Sequence, residues 1–357
     1  MKTVRTVTIS GGDLRHPLTT REGWAAFVSR ARPEPPRLLP GSDLERLTAV
    51  EREIYHEARQ DYHSELLLVA TPDIRLITTT GSKLIINNRG KQPGRRGLIV
   101  SGPSGTGKST SITQLGKKHQ IETERRHPGL AGRIPVVYII VPPAATPKTL
   151  AIELAAFLGL PVSSRDSQHS ITAAVAGVLR KAGCTLVLVD EVHRLDLRTR
   201  SGAEASDQLK YFFDSISATF VYAGLDLEEN GMFSGMRGRQ VAGRFISVRT
   251  AAFGHATAAQ RTDWAKLIAT MEQTLRLHHH KPGTLIEMAP YLHQRTGGMI
   301  GSPDQLVHEA ANDAISDGTE KITRKHLDAV ILDTAAQEQY HLPASRRPAA
   351  ASRRASS

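Results

Sequence analysis

The chain has 357 residues, which fits one large domain or a core with appendages, and 39% are hydrophobic, which excludes wholesale disorder. Lys and Arg number 46 against 35 Asp and Glu, so the formal net charge of +11 predicts a negatively charged partner. The one cysteine, Cys184, excludes intramolecular disulfides and Cys-based zinc clusters.

The first part of the chain predicts an arm followed by helices. Residues 1–40 are rich in proline and show little periodicity, so we expect a loosely ordered arm with one short helix near Trp24. Ser42 and Glu45 form a capping box, which predicts a helix from there to about Tyr62. The apolar residues that follow at helical spacing are Leu44, Leu47, Val50, Ile54 and Ala58.

A second helix start and then a sheet pattern follow. Thr71 before Pro72 is a cap with a first-turn proline, and this helix is expected to break near Gly81. After a basic linker, short apolar runs alternate with helix-length segments, which indicates a parallel sheet with crossover helices. The strands are predicted at residues 97–101, 134–141, 185–189 and 218–223, with a weaker candidate at 245–249, and the crossover helices at 149–158 and 170–181.

The last third of the chain predicts helices without strands. Four helical patterns cover residues 257–277, 284–294, 303–315 and 323–332, which indicates a small helical domain behind the α/β core. The final segment has four Arg and no periodicity, so a disordered basic tail is expected. The predicted division is an arm at 1–40, N-terminal helices at 41–90, the α/β core at 91–255, a helical lid at 256–336 and the tail at 337–357.

A phosphate-binding loop follows the first predicted strand. Residues 102–109 read GPSGTGKS and match the pattern G-x-x-x-x-G-K-[ST] between a strand and a helix. Glycines let backbone N–H groups surround a phosphate, Lys108 reaches the β and γ oxygens, and the Ser109 hydroxyl binds magnesium. We therefore expect ATP and Mg²⁺ as cofactors. The expected nucleotide-binding residues are Gly102, Pro103, Ser104, Gly105, Thr106, Gly107, Lys108, Ser109 and Thr110.

Two acids end a later apolar strand, in the run LVLVDE. Asp190 is expected to hold the magnesium shell, and Glu191 to polarise the attacking water. The alternative is a strand-end turn with solvated acids. One further strand lies between this acidic motif and the phosphate loop, which favours hydrolytic ATPases over small-molecule kinases or GTPases. No N-K-x-D guanine motif is present, which also favours ATP.

With these motifs the chain resembles the AAA+ ATPases, and within them the transposition regulators of the TniB, TnsC and MuB type. The resemblance covers about residues 60–335. It implies an α/β P-loop NTPase of the ASCE type, with a parallel sheet core and a C-terminal helical lid. The segments that resemble the regulators are 134–143 (IPVVYIIVPP), 146–150 (TPKTL), 190–193 (DEVH), 240–245 (QVAGRF) and 297–301 (GGMIG).

Two positions depart from the AAA+ pattern. The end of the fourth strand offers Tyr222 alone as a polar sensor, and the lid turn at residues 301–304 lacks the arginine that many members use to detect the γ-phosphate. A slow ATPase that acts as a timer is consistent with both departures.

Arg244 lies just before the last predicted strand, with Arg237 and Arg239 nearby. In an oligomer, an arginine at this place would stabilise charge on a neighbour's γ-phosphate. We assign that catalytic role to Arg244, with Arg239 as the runner-up and a solvated basic turn as the alternative. The resemblance thus implies a homo-oligomer, either a ring or a filament.

Basic clusters bracket the phosphate loop in the sequence. They comprise residues 89–96, Lys117 with Lys118, and Arg125 with Arg126, and such clusters bind nucleic-acid backbones without reading bases. The alternative is the solvated surface of a basic protein. The chain has no run of the ~18 apolar residues that a membrane span needs, and its first residues lack a secretory apolar region, so no membrane contact and a cytoplasmic location are expected.

Three functions compete. The first is an ATP-dependent regulator of transposition, whose ATP-bound subunits assemble on double-stranded DNA, recruit a transposase and are released by hydrolysis, as the resemblance implies. The second is an AAA+ helicase loader or replication initiator, which shares the core and differs in its partner. The third, a small-molecule phosphotransferase, is disfavoured by Glu191 and by the helical lid.

Overall fold

The structure is a computed structural model that describes residues 16–31, 33–65, 69–91, 94–129, 132–195, 199–228 and 243–332. The strands are β1 Gly97–Ser101, β2 Val136–Ile140, β3 Leu186–Asp190, β4 Thr219–Gly224 and β5 Phe245–Arg249. The helices are α1 Arg21–Ser29, α2 Gly41–Glu45, α3 Ala49–Ser64, α4 Pro72–Asn87, α5 Lys108–Arg126, α6 Pro147–Phe157, α7 Gln168–Lys181, α8 Arg200–Ser215, α9 Ala258–Glu272, α10 Thr284–Glu287, α11 Ala289–Thr296, α12 Gly301–Ser316 and α13 Arg324–Ala329.

The five strands form one parallel sheet in the order β2-β3-β4-β1-β5. All five predicted strands are confirmed, and so is the P-loop α/β fold followed in the chain by helices. β4 lies between β1 and β3, so one strand separates the phosphate-loop strand from the strand that ends in Asp190. Because every strand is parallel, their carboxyl ends meet at one edge of the sheet, where a ligand is expected.

The central strands are apolar because both of their faces are covered. Every residue of β1, β3 and β4 is buried, whereas β5, at the edge of the sheet, has mostly exposed residues. This difference explains why the sequence signal for β5 is the weakest of the five.

The helix α4 continues through Gly81, where the sequence predicted a break. A Cβ atom at Gly81 would lie 2.3 Å from the Leu115 side chain of α5. The glycine therefore allows α4 and α5 to pack closely, and it does not end the helix.

The predicted helix from Ser42 to Tyr62 is two helices, α2 and α3. The capping box that starts α3 consists of Thr48 and Glu51, with the Glu51 carboxylate accepting from the Thr48 N–H at 2.9 Å. Ser42 lies within the short α2, which begins after Pro40. Ser42 and Thr48 are each followed three residues later by Glu, and the capping box forms at the second of these two matches.

The apolar stripe of α3 faces solvent. Val50 and Ile54 are 66% and 59% exposed, whereas Arg59 on the opposite face is 0% exposed. Arg59 donates two hydrogen bonds to the Glu320 carboxylate, at 2.7 and 2.8 Å. A buried ion pair thus determines which face of α3 turns inward.

The chain forms two compact units. The first contains Met1–Ala31, Pro72–Ser104 and Lys108–Thr250, and the second Arg32–Thr71, Gly105–Gly107 and Ala251–Ser357. The expected group of N-terminal helices at 41–90 is therefore divided, because α3 packs on α12 and α4 packs on α5. Within the described residues, no helix is long and apolar enough to cross a membrane.

Candidate nucleotide site

The phosphate-loop motif connects β1 to α5. Gly102 has a φ of +148°, and a Cβ atom there would lie 2.3 Å from the carbonyl oxygen of Thr250. No side chain fits at this position, so only glycine allows the loop to pass this close to the residue that follows β5. Ser109 lies exposed in the first turn of α5, whose N–H groups suit phosphate oxygens. Of the other loop residues, Pro103, Ser104 and Gly105 are exposed, Gly107 and Thr110 are partly exposed, and Thr106 is buried.

Lys108 is the first residue of α5 and follows the phosphate loop at the carboxyl edge of the sheet. Its Nζ donates to the carbonyl oxygen of Pro103 at 2.5 Å. Burial lowers the pKa of Lys108, while the negative charges of Asp190, Glu191 and Asp226 act to raise it. The negative charges of three carboxylates therefore act on the ammonium group, in the place where a phosphate-binding cation is required.

Asp190 ends β3 and is 2% exposed. Its Oδ2 accepts a hydrogen bond from the Tyr138 hydroxyl at 3.0 Å, and its Oδ1 accepts from the N–H of Glu191 at 2.8 Å. Burial and the charge of Asp190 raise the pKa of Tyr138, so its hydroxyl stays a donor. A carboxylate oriented by two donors in this way is the ligand type that Mg²⁺ prefers. The residues present therefore fit a magnesium–nucleotide complex, and the roles of Asp190 and Ser109 in it stay predictions.

Glu191 follows β3 in a left-handed conformation, with a φ of +58°. Such a conformation costs about 1–3 kcal/mol in a residue other than glycine and is concentrated at functional sites. Its Oε2 lies 3.2 Å from an Arg194 nitrogen and 3.5 Å from His193 Nε2. The other ring nitrogen of His193 accepts from the N–H of Leu225 at 3.2 Å. His193 thus connects the turn after β3 to the turn after β4.

Asp226 is a residue of this edge that the sequence analysis missed. It follows β4 with a φ of +36°, its charge acts on Lys108, and its Oδ1 lies 3.6 Å from an Arg249 nitrogen. The signal was available, because an acid after a buried parallel strand is the pattern that identified Asp190.

Tyr222, considered above as a sensor, does not reach this edge of the sheet. Its hydroxyl donates to the carbonyl oxygen of Leu209 at 3.3 Å, and its ring stacks on Phe245 with a centroid distance of 5.0 Å. The side chain is a buried part of the packing between the sheet and α8.

Arg244 lies at the opposite edge of the sheet from the phosphate loop. Its carbonyl oxygen accepts from the N–H of Gly97, which begins β1, and its guanidinium pairs with Asp214 at 2.7 Å. Arg244 is therefore not grouped with Lys108 of the same chain, and action on a neighbouring subunit stays a prediction. Arg237 and Arg239 lie outside the described residues.

Comparisons with known proteins agree with this fold. A family model described as an AAA domain matches residues 92–233. No curated protein matches the sequence. The resemblance to transposition regulators is not tested by these comparisons.

Three solved structures illustrate the structural likeness. The ORC1 protein of Aeropyrum pernix in complex with DNA has a TM-score of 0.52 and 17% identity, over 78% of this chain and 67% of that chain. The ORC2 protein of Aeropyrum pernix has a TM-score of 0.56 and 15% identity, over 73% and 67%. Cdc6p from Pyrobaculum aerophilum has a TM-score of 0.52 and 17% identity, over 78% and 73%. The chain thus has a P-loop AAA+ fold similar to that of ORC and Cdc6 proteins.

Proposed function

We propose that this protein is a magnesium-dependent AAA+ ATPase that binds duplex DNA as an ATP-bound oligomer. The observation that carries the proposal is the position of Lys108 at the start of α5, at the end of the phosphate loop, together with Asp190 at the end of β3, on the carboxyl edge of the same parallel sheet. A phosphate loop beside such an acidic edge is suited to hydrolysis of a nucleoside triphosphate.

Each residue of the site has a distinct task in this proposal. The N–H groups of the loop and the Lys108 ammonium bind the phosphate oxygens. Ser109 and Asp190 hold Mg²⁺, which would neutralise charge on the phosphates when bound. Glu191 positions and polarises the attacking water, and it must exchange its pairing with Arg194 for that water. Arg244 supplies positive charge to a neighbouring subunit's site.

The DNA-binding part of the proposal rests on fewer residues than the sequence clusters contain. Arg95 is 6% exposed and donates to backbone carbonyl oxygens at the end of α8, so it cannot contact DNA. Lys117 likewise donates hydrogen bonds to the backbone carbonyl oxygens of Phe27 and Arg30. Arg89, Arg96 and Arg125 remain exposed on the first unit and are the proposed contacts to the phosphate backbone.

Two partner classes are compatible with this chemistry. A role in transposition, with a transposase as partner, is supported by the motif resemblance at residues 134–143 and 190–193. A role as replication initiator or helicase loader is supported by the structural likeness to the ORC1 protein in complex with DNA. We place transposition first, because the motif resemblance concerns segments of this chain's own sequence.

Sedimentation with duplex DNA and a non-hydrolysable ATP analogue tests the proposal. We expect rings or filaments on DNA that need the analogue, and a Lys108→Ala chain that forms none. A wild-type chain that stays monomeric with both ligands would refute the proposal. Assembly that needs a replicative helicase would support the loader over the transposition regulator.

A charge-reversal pair tests the DNA surface. Arg89→Glu with Arg125→Glu should weaken binding and flatten its salt dependence, since each lost phosphate contact lowers the slope by about one unit. Lys325→Glu is the control, because Lys325 is an exposed cation of the second unit. The control reverses one charge and the double variant two, so a loss of binding free energy in the control that is half as large as in the double variant would show that only net charge matters.

A further inference from the structure

The helix α1 is anchored on the core by a buried tryptophan. Trp24 is 2% exposed, and its indole N–H donates to the Gln120 side-chain oxygen at 2.7 Å. α5 has a glycine at the contact: a Cβ atom on Gly116 would lie 2.7 Å from the Trp24 ring. The arm that the sequence indicated only weakly therefore packs through Trp24 at a defined site on α5, the helix that follows the phosphate loop.

A lysine of α5 fastens the end of α1. Lys117 Nζ donates to the carbonyl oxygens of Phe27 and Arg30, at 3.0 and 2.8 Å, and lies 5.2 Å from the centroid of the Phe27 ring. Carbonyl oxygens at a helix C-terminus lack partners within the helix, so a cation there stabilises the last turn. The next residue, Lys118, is half exposed and lies 4.0 Å from Glu122.

Trp24 also contacts the strand that supports the metal ligand. Its ring stacks on Tyr138 of β2, with a centroid distance of 5.9 Å and an angle of 23°. The Tyr138 hydroxyl in turn donates to Asp190 Oδ2. A continuous set of contacts therefore runs from α1 to the carboxylate at the end of β3.

We propose that Tyr138 is a positioning residue for the Asp190 carboxylate and that docking of α1, through Trp24, keeps Tyr138 in place. The inference rests on the proposed nucleotide site. It assigns to α1 a role in that site: binding of magnesium with nucleotide favours the docked helix, and the docked helix strengthens magnesium binding. Such coupling is necessarily reciprocal.

The chemical reason lies in how the carboxylate is held. The Glu191 N–H occupies one oxygen of Asp190 and the Tyr138 hydroxyl the other, which fixes the rotation of the carboxylate. A neutral donor does this without cancelling the charge that attracts a cation. Partners that orient a metal ligand in this way typically contribute 10–100-fold to metal affinity.

The first test is Tyr138→Phe, compared with Tyr222→Phe. Both tyrosines are buried in the same sheet, and Tyr222 donates to the backbone carbonyl of Leu209 in α8 and not to a carboxylate. Calorimetry gives ADP affinity in EDTA and the Mg²⁺ concentration that half-maximally strengthens ADP binding. We expect Tyr138→Phe to raise that Mg²⁺ midpoint about tenfold and to leave the affinity in EDTA unchanged. Equal midpoints for the two variants would overturn the proposal.

The second test asks whether α1 acts through Tyr138. Lys117→Met loosens α1 without touching the tyrosine, and Lys118→Met is its control. We expect Lys117→Met to raise the Mg²⁺ midpoint about threefold in the wild-type chain and to have no effect where Tyr138 is already Phe. Additive effects of Lys117→Met and Tyr138→Phe would overturn the coupling.

Failure of the underlying nucleotide site has a different signature. If the wild-type chain binds no ADP in EDTA or with Mg²⁺, the proposed function fails. If it binds ADP with a Mg²⁺ midpoint that Tyr138→Phe leaves unchanged, the proposed function stands and the role of Tyr138 fails.

Discussion

Acid should destabilise the second unit more than the first, because of where the buried histidines lie. Burial lowers the pKa of His63 to about 3 and the pKa of His308 to about 4, and both residues belong to the second unit. Burial also lowers the pKa of His119, in the first unit, to about 4. The positive charge of His308 contributes to the low pKa of His63, whose ring stacks on it at 6.0 Å.

The sign and the size follow from proton binding. A histidine in the unfolded chain has a pKa of about 6.5, so below that pH the unfolded chain takes up protons that the folded chain does not. The free energy of unfolding is therefore highest above pH 6.5 and falls as the pH drops towards the folded pKa. At pH 5 each such histidine costs about 2 kcal/mol, which gives about 4 kcal/mol for the second unit and about 2 kcal/mol for the first.

The chain's two tryptophans allow each unit to be followed separately. Trp24 lies in the first unit and Trp264 in the second, so Trp264→Phe and Trp24→Phe each leave one fluorescent reporter. Urea unfolding at pH 7.5 and pH 5 gives the loss of free energy for each unit. A loss reported by Trp264 that is no larger than the loss reported by Trp24 would refute the reasoning.

A histidine substitution checks the same prediction by a second route. His63→Gln keeps an uncharged polar side chain, so it should remove about 2 kcal/mol of the difference between pH 7.5 and pH 5. His169→Gln is the control, because His169 is exposed on α7. An unchanged difference in His63→Gln would exclude His63 as the titrating group.

Three further predictions concern single side chains. Glu191→Gln should keep magnesium-dependent ATP binding and slow phosphate release about 100-fold or more, because the variant loses the general base but keeps every group that binds the phosphates. Loss of ATP binding in this variant would contradict this role. An Arg244→Ala chain mixed with a Lys108→Ala chain should regain part of the ATP hydrolysis that each variant lacks alone. If no mixing ratio restores hydrolysis, Arg244 does not act on the γ-phosphate of a neighbouring subunit. Arg95→Met should lower the free energy of unfolding in urea by about 3 kcal/mol, because carbonyl oxygens at the end of α8 lose a buried cationic donor. The affinity for ADP should stay unchanged. A loss of unfolding free energy below about 1 kcal/mol would contradict that reasoning.

The parts of the site that the sequence reveals are those defined by local spacing. The phosphate loop is a continuous motif whose glycine and lysine positions follow directly from its chemistry. Asp190 is recognisable because it ends an apolar strand. Asp226 obeys the same rule at the end of β4, and a uniform application of the rule to every strand would have found it.

The contact between Tyr138 and Asp190 could not be predicted in this way. The two residues are 52 positions apart, and their hydrogen bond depends on the pairing of β2 with β3. Pairing brings Ile140 opposite Asp190 and leaves Tyr138 two residues back along the neighbouring strand, where a long side chain can reach the carboxylate. A periodic apolar run gives no information about this register.

The helix α3 shows why periodicity can identify an element and still mislead about its buried face. Val50 and Ile54 recur at helical spacing and do lie on one face, but that face is exposed. The inward face contains Arg59, whose charge is paired with Glu320 and whose guanidinium lies 4.5 Å from the Tyr55 ring. Removal of one member of such a buried pair costs about 3–5 kcal/mol, which is comparable to burying the two aliphatic side chains. The orientation of α3 therefore depends on a partner 261 residues away, which its own sequence cannot specify.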